Sequence, residues 1–224
     1  MKCLICFEEI VAQVSWNQFL LPQKNRKVCE GCTDKLKRID QIGCPKCGRE
    51  DAHGICYDCE RWEQSDLYAG CLEKNVAVYA YNDFAKEIVA KWKYRGDFIL
   101  SQAFAEAVQT TYHQHLRDVG ADAAVIPLSG QRLLERGFNQ SDAVIQLLGL
   151  DSHNFFTRRE SEKQSKRGRR ERMEAGNPFE LVRGSSRPVL LVDDIYTTGM
   201  TVRHLALLLK RAGCPAVYSF TLFR

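Results

Sequence analysis

The sequence predicts an α/β protein, a parallel-sheet domain preceded by a small zinc-ribbon module. Three observations carry this. From residue 76 onward, short apolar runs alternate with segments of helical period, the pattern of parallel strands joined by right-handed crossovers. One run, residues 189–192, ends in two adjacent carboxylates, Asp193 and Asp194, and is followed by a hydroxyl- and glycine-bearing loop and an amphipathic helix. Four Cys-x-x-Cys pairs crowd the first 60 residues: Cys3/Cys6, Cys29/Cys32, Cys44/Cys47 and Cys56/Cys59.

Two thiolates three residues apart grip one tetrahedral metal together, so these eight cysteines match two zinc sites of four cysteines each. Sulfur then takes all four positions at each ion and leaves none for a catalytic water, so both zincs are structural. Sequential pairing is favoured, with Cys3, Cys6, Cys29 and Cys32 on one ion and Cys44, Cys47, Cys56 and Cys59 on the other. Only eight residues separate the second pair of knuckles, and so short a loop closes at little entropic cost. A cross-brace pairing stays open, as does His53 in place of a cysteine. Gly48 supplies the tight turn of the CPKCG knuckle. A unit of about 60 residues is marginal without such staples, and structural zinc supplies on the order of 10 kcal/mol of apparent folding energy per site. Cys71 and Cys214 lack partner spacing and read as core or surface thiols.

An apolar fraction of 45% with 27% charged residues is that of a soluble globular protein. No apolar run approaches the ~20 residues a membrane span requires. The opening MKCLIC has neither an h-region nor a small-residue cleavage site, so a cytoplasmic location without membrane contact is expected. Cysteines in such a compartment serve metals, not disulfides.

The net charge of +4 is modest, but its distribution is uneven. Residues 1–60 hold nine Lys/Arg against nine Asp/Glu, and two zinc–thiolate centres would add about −4. The zinc module is therefore not strongly cationic. By contrast RRESEKQSKRGRRER, residues 158–172, carries eight basic and three acidic residues and no aliphatic or aromatic one. Such a run cannot bury itself. It reads either as a solvated surface segment or as an anion-binding loop that orders over phosphates or nucleic acid.

Residues 61–75 read as a linker into a strand at 76–81. Asn82 and Asp83 cap a helix in which Phe84, Ile88, Val89 and Trp92 recur at helical spacing; it stops at Tyr94-Arg95-Gly96-Asp97. A second helix spans about 99–117, with His113 and His115 on different faces as surface residues. Residues 123–126 form a short buried strand, broken at Pro127-Leu128-Ser129-Gly130. A helix follows from Arg132 to about Leu148, interrupted near Arg136-Gly137-Phe138. After the charged segment come the acid-bearing strand, a helix at 201–212 with Val202, Leu205, Ala206 and Leu209 inward, and a last strand at 216–222.

In open parallel sheets, ligands bind beyond the carboxyl ends of the strands, where Asp193 and Asp194 are expected to stand exposed. The loop Ile195-Tyr196-Thr197-Thr198-Gly199-Met200 and the helix start at Thr201 offer amides to an anion. Thr197, Thr198 and Thr201 add hydroxyl donors, and Gly199 lets backbone approach a phosphate closely. Two carboxylates repel a bare phosphate but accept hydrogen bonds from sugar hydroxyls. The implied ligand is a ribose 5-phosphate. Ser129, Gly130 and Arg132 follow another strand end at the same edge. Arg132 can hold a pair of pyrophosphate oxygens in bidentate fashion, with Arg136 one turn further on behind it.

The thirteen residues VLLVDDIYTTGMT at 189–201 resemble the 5-phosphoribosyl-1-pyrophosphate (PRPP) motif of type I phosphoribosyltransferases. Joined with IPLSGQRLLERGFNQS at 126–141, YRGD at 94–97, Lys163-Gln164-Ser165 and the N-terminal double zinc ribbon, nearly the whole chain resembles the ComF family of late competence proteins. The resemblance implies a double zinc ribbon over 1–62 and a type I phosphoribosyltransferase-like domain over 76–224. It implies that PRPP, chelated by Mg2+, meets Asp193, Asp194, residues 195–201, Ser129, Gly130 and Arg132. Residues 158–172 take the place of the flexible loop that closes over the site, with Lys163 as its phosphate contact. It further implies a role in natural transformation: handling incoming single-stranded DNA in the cytoplasm with a helicase encoded in the same operon.

Two functions compete. An active phosphoribosyltransferase would use Asp193, Asp194 and Arg132 in catalysis on a base, nucleotide or nucleic-acid acceptor. Hypoxanthine-type relatives carry an aspartate at the place of Thr197, and threonine cannot serve as a proton acceptor at neutral pH. A nucleic-acid adaptor that keeps the pocket for binding is favoured. Its strand-tracking surface would be Lys91, Lys93, Arg136, Lys166, Arg167, Arg169 and Arg170, with Trp92 and Tyr94 interleaved as stacking platforms. The phase of Trp92 with Ile88 and Val89 fits the core equally well. The zinc ribbons would grip DNA or dock the partner.

Overall fold

The computed structural model describes residues 1–10, 26–94, 97–159 and 177–224. The strands among them are β1 (Asn75–Tyr79), β2 (Asp122–Val125), β3 (Ser152–His153), β4 (Phe156–Arg158), β5 (Phe179–Leu181), β6 (Val189–Ile195) and β7 (Val217–Phe223). The helices are α1 (Glu30–Lys35), α2 (Tyr57–Glu63), α3 (Asp83–Tyr94), α4 (Ala105–His115), α5 (Gly130–Arg136), α6 (Gln140–Leu148) and α7 (Met200–Arg211). Five strands make one parallel sheet in the order β1-β7-β6-β2-β3, while β4 and β5 pair antiparallel on their own. The α/β class and the parallel sheet are those the sequence predicts.

β6 is the middle strand, and its alternating side chains feed two cores. Leu190 and Val192 pack with Ile88, Trp92, Phe104, Val144 and Ile145 from the α3, α4 and α6 side. Val189 and Leu191 pack with Val202, Leu205, Ala206 and Leu209 of α7 and with Phe155, Phe156 and Phe179. The cysteine knuckles join the same two cores, Cys3 and Cys32 in the first and Cys44, Cys47, Cys56 and Cys59 in the second. Residues 37–39 run along the outer edge of β1, bonding Ala80 N–H to Lys37 O (2.8 Å) and Ile39 N–H to Val78 O (3.0 Å).

Most elements fall where periodicity puts them. Asn82 caps α3 by accepting from the Ala85 amide at 2.8 Å. Gly137, at φ +74°, separates α5 from α6. The helix expected at 99–117 divides into a 3-10 turn (Phe98–Phe104) and α4. β6 runs past its apolar part to Ile195, because the ladder to β7 continues through Asp193↔Thr221 and Ile195↔Phe223; ladder bonding, not side-chain polarity, sets its length. Trp92 is fully buried, which makes it core and not a stacking platform, while Tyr94 is 76% exposed. Cys71 and Cys214 are both buried. Among the described residues, no helix is long and apolar enough to cross a membrane.

The two cysteine knuckles that close on a left-handed residue differ in one respect. Gly48 takes φ +77° after Cys47, whereas Phe7 takes φ +65° after Cys6. Both amides return to the first cysteine carbonyl of their knuckle, at 2.9 Å each. A side chain in this region costs roughly 1–2 kcal/mol, and Phe7 is largely exposed, so little packing offsets it. Phe7→Gly is therefore expected to raise the urea unfolding free energy of the zinc-loaded chain by about 0.5–1 kcal/mol, after allowing for the extra freedom glycine gives the unfolded chain. A lower stability in the variant would show that the Phe7 ring packs usefully.

Candidate functional site at the end of the central strand

Neighbouring residues on a strand point to opposite faces, and this divides the acidic pair. Asp194 lies on the face of Leu190 and Val192, where its carboxylate forms an ion pair with Lys93 from the last turn of α3. It is 7% exposed. Asp193 lies on the opposite face, with its Oδ1 accepting the Asp194 amide at 2.9 Å. The expectation of two exposed acids is thus corrected: Asp194 is buried and Asp193 partly so, because β6 continues through them and α3 covers one side. Asp193 keeps some solvent access, yet burial above all, and then the charge of Asp194, raise its carboxyl to about 8.

The loop beyond the acids is built from below. Tyr196 is buried, its amide donates to Phe223 O at 2.9 Å, and its phenol oxygen accepts from the Arg203 guanidinium. Arg203 is itself only 1% exposed. Gly199 has φ +77°, and a Cβ there would run into the Tyr196 phenol and Arg203. Only glycine fits. Thr198 Oγ1 accepts from the Met200 amide at 3.4 Å, and α7 starts at Met200 with no side chain on its N-cap, Gly199. Beyond the Met200 amide, its first turn has no side-chain cap and can face an anion. Thr197 is exposed, and Ile195, Thr198, Met200 and Thr201 are partly so.

β2 pairs Val125 with Val192, so the chain leaving β2 emerges level with the acids. Ser129 caps α5 by accepting from the Arg132 amide at 3.4 Å, and Gly130 and Arg132 are exposed. Arg136 is partly buried, donates to Gln140 Oε1 at 2.8 Å, and lies within electrostatic reach of Asp194, Arg132, Tyr94 and Asp193. Arg158 on β4 sits 5.3 Å over the Phe179 ring and within reach of Arg132 and Arg136. The three guanidiniums thus lie within electrostatic reach of one another, and Arg136 also within reach of the two carboxylates.

Sequence reasoning missed Arg158 as a separate contributor, since it read only as the first residue of a charged run; its β-ladder position brings it in. Lys93 and Arg136, expected on a nucleic-acid surface, have their side chains turned to Asp194 and Gln140 instead. Lys91 is partly exposed. Arg95, Gly96, Lys163, Lys166, Arg167, Arg169 and Arg170 lie outside the described residues.

Each cysteine quartet brings its sulfurs within 4.8 Å of one another, Cys3/Cys6/Cys29/Cys32 and Cys44/Cys47/Cys56/Cys59. The sequential pairing holds, and exposed His53 is in neither group. Cys6–Cys29 and Cys47–Cys56 stand at 3.6 Å, near the edge of about 3.8 Å that four Zn–S bonds of about 2.3 Å require. Backbone amides of Ile5 and Cys29 point at Cys3 Sγ, and that of Cys56 at Cys44 Sγ, as metal-bound thiolates favour. Both groups fit zinc.

The raised Asp193 carboxyl makes a prediction with a definite sign. The folded state holds this proton more tightly than the unfolded chain, whose carboxyl titrates near 3.8, so stability falls as pH rises from about 4 to about 8. Asp193→Asn, which does not titrate, should gain on the wild type through that window and keep a constant lead above it. Denaturation of both proteins at pH 5, 7 and 9 checks this; a pH-independent difference contradicts it.

No protein-family model matches the chain. Curated relatives do. Competence protein ComFC of Bacillus subtilis is 37% identical over 226 residues, covering 99% of this chain and 94% of that protein. Competence protein ComFC of Streptococcus pneumoniae is 31% identical over 227 residues and the full length of both. DNA utilization protein YhgH of Escherichia coli K12 is 29% identical over 218 residues, 88% of this chain and 90% of that one. With identity of this extent over nearly its whole length, the chain belongs to the ComF family of competence proteins.

Proposed function

We propose that this protein binds PRPP and handles incoming single-stranded DNA in the cytoplasm during natural transformation, beside a helicase encoded in the same operon. The observation that carries the reading is the juxtaposition at the end of β6: a split acidic pair next to the uncapped N-terminus of α7. The relatives' names, competence and DNA utilization, agree with a DNA-handling role.

On this reading residues 1–62 form a zinc-bearing unit and residues 76–224 a phosphoribosyltransferase-like one. The 5-phosphate rests on the amides and hydroxyls of residues 197–201, and the ribose hydroxyls donate to Asp193 and Asp194. Lys93 neutralises Asp194 at the site, which limits the repulsion between the acid and an anionic ligand. Ser129, Gly130, Arg132 and Lys163 face the pyrophosphate, with Mg2+ supplying the remaining counter-charge. DNA runs over Lys91 and the basic residues Lys166, Arg167, Arg169 and Arg170. Arg136 is better placed for the pyrophosphate than for the strand.

A second reading, an active phosphoribosyltransferase, is supported by one observation: Arg132, Arg136 and Arg158 lie within electrostatic reach of one another, a cluster suited to the charge of a departing pyrophosphate. Pyrophosphate released at enzyme-like rates from PRPP–Mg2+ with a base, nucleoside or nucleic-acid acceptor would establish it.

Two outcomes are expected. Titration of the full chain with PRPP–Mg2+, with and without single-stranded DNA, should show binding of both ligands; Asp193→Asn with Asp194→Asn should remove the PRPP response alone, and loss of both would refute the division of labour. Arg169→Ala with Arg170→Ala should weaken DNA binding and flatten its log–log salt dependence by about one to two. An unchanged slope would place the strand elsewhere.

A further inference from the structure

Three consecutive carbonyls of the loop, those of Tyr196, Thr197 and Thr198, are each held by a side chain tied to the second cysteine quartet. Arg224, just past β7, donates through Nη1 to Thr197 O at 3.2 Å and Tyr196 O at 3.5 Å, and through Nη2 to Cys47 Sγ at 3.2 Å. Its backbone is fixed against β1, donating to Tyr79 O (2.9 Å) and accepting from the Tyr81 amide (2.8 Å). The guanidinium also lies 5.1 Å over the Tyr196 ring. Trp62 of α2, a helix that begins after Cys56 and contains Cys59, donates its indole N–H to Thr198 O at 2.9 Å. Arg203, which holds Tyr196 and Gly199, lies 4.8 Å over the Trp62 ring.

In a trans peptide the N–H points opposite to the C=O. Holding the carbonyls of residues 196–198 toward the cysteines therefore aims the amides of Thr197, Thr198 and Gly199 the other way. A zinc–tetrathiolate centre carries about −2 charge, which keeps a guanidinium seated against Cys47.

We infer that Arg224 is a positioning residue through which zinc in the Cys44/Cys47/Cys56/Cys59 site presets the amides of the phosphate loop, so that zinc occupancy and PRPP affinity are coupled. The inference rests on the reading of residues 195–201 as a PRPP loop. The coupling runs through Arg224, which bridges Cys47 Sγ and the carbonyls of Tyr196 and Thr197, and not through general stabilisation. By linkage it is reciprocal: zinc in the second site tightens PRPP binding, and bound PRPP tightens the hold on that zinc.

The test uses the full zinc-loaded chain. Arg224→Ala should keep two zinc ions per chain and the near-UV dichroism of the wild type, yet bind PRPP–Mg2+ roughly tenfold more weakly by calorimetry, the effect of one charge-assisted hydrogen bond. Arg224→Lys, which keeps the charge but cannot fork between sulfur and carbonyl, should recover only part. It carries the comparison if the alanine variant fails to hold its metal. In the reciprocal experiment, saturating PRPP–Mg2+ should raise about tenfold the concentration of a zinc-selective chelator needed to strip half of the second-site zinc from the wild type, and should not do so in Arg224→Ala. Equal PRPP affinities in wild type and both variants, or equal protection of zinc in wild type and Arg224→Ala, would overturn the inference while the PRPP site stands. A wild type that binds no PRPP at all would instead sink the reading beneath it.

Discussion

The ion pair between Lys93 and Asp194 is the interaction on which the rest of the site depends. Two adjacent carboxylates at the end of a buried strand would repel each other and resist burial. β6 separates them by sending one to each face of the sheet, and the face of Asp194 carries a cation from a packed helix. Lys93 reaches it because it follows Val89 by one turn, at the border of the face that Ile88, Val89 and Trp92 bury against the sheet. Asp193 has no such ion pair among the described residues, and burial, then the neighbouring Asp194 charge, raise its carboxyl. One acid is ion-paired to Lys93 and the other has its carboxyl raised, within a single dipeptide.

The cysteine-rich segment is joined to the sheet by polar groups as well as by the shared cores. Asn75, at the start of β1, is buried, donates to Cys47 O at 3.2 Å, and accepts from Ser219 Oγ at 2.8 Å and Thr221 Oγ1 at 3.4 Å. The Asn75 amide also donates to Lys46 O at 2.8 Å. A buried network of this kind is satisfied only in one register, so it fixes the knuckle against β1 and β7. The knuckle in turn stands against Arg224, and Arg224 against the loop after β6. The metal-binding segment and the acid-bearing strand thus share their bonding partners, which a linear division of the chain at residues 62 and 76 does not convey.

Much of this was legible in the residues. Spacing picked out the eight cysteines, because Cys-x-x-Cys geometry is local, and loop length favoured the sequential pairing while a cross-brace stayed open until the sulfurs were placed. Apolar period placed β1, α3, α6, β6, α7 and β7 to within a few residues. The short strands β3, β4 and β5 were not legible, since two or three residues carry no alternation, and buried Phe155, Phe156 and Phe179 hold them in place. The contacts that Lys93, Arg158, Arg203 and Arg224 make in the site were also beyond reach. A lone basic residue has the same local signal whether it faces solvent, a carboxylate or a thiolate; only the packing of α3, β4, α7 and β7 decides. A weak clue existed for Arg203, which follows Val202 and precedes Leu205 on the helical face that turned out buried.

The measurement closest to the central claim is a crystal structure of the full chain with PRPP and Mg2+. A sugar-phosphate is seated at the end of β6 if its 5-phosphate lies on the amides of residues 197–201 and its ribose hydroxyls fall within hydrogen-bond distance of Asp193 and Asp194. Density for the ligand elsewhere, or an empty site under saturating PRPP, would contradict it.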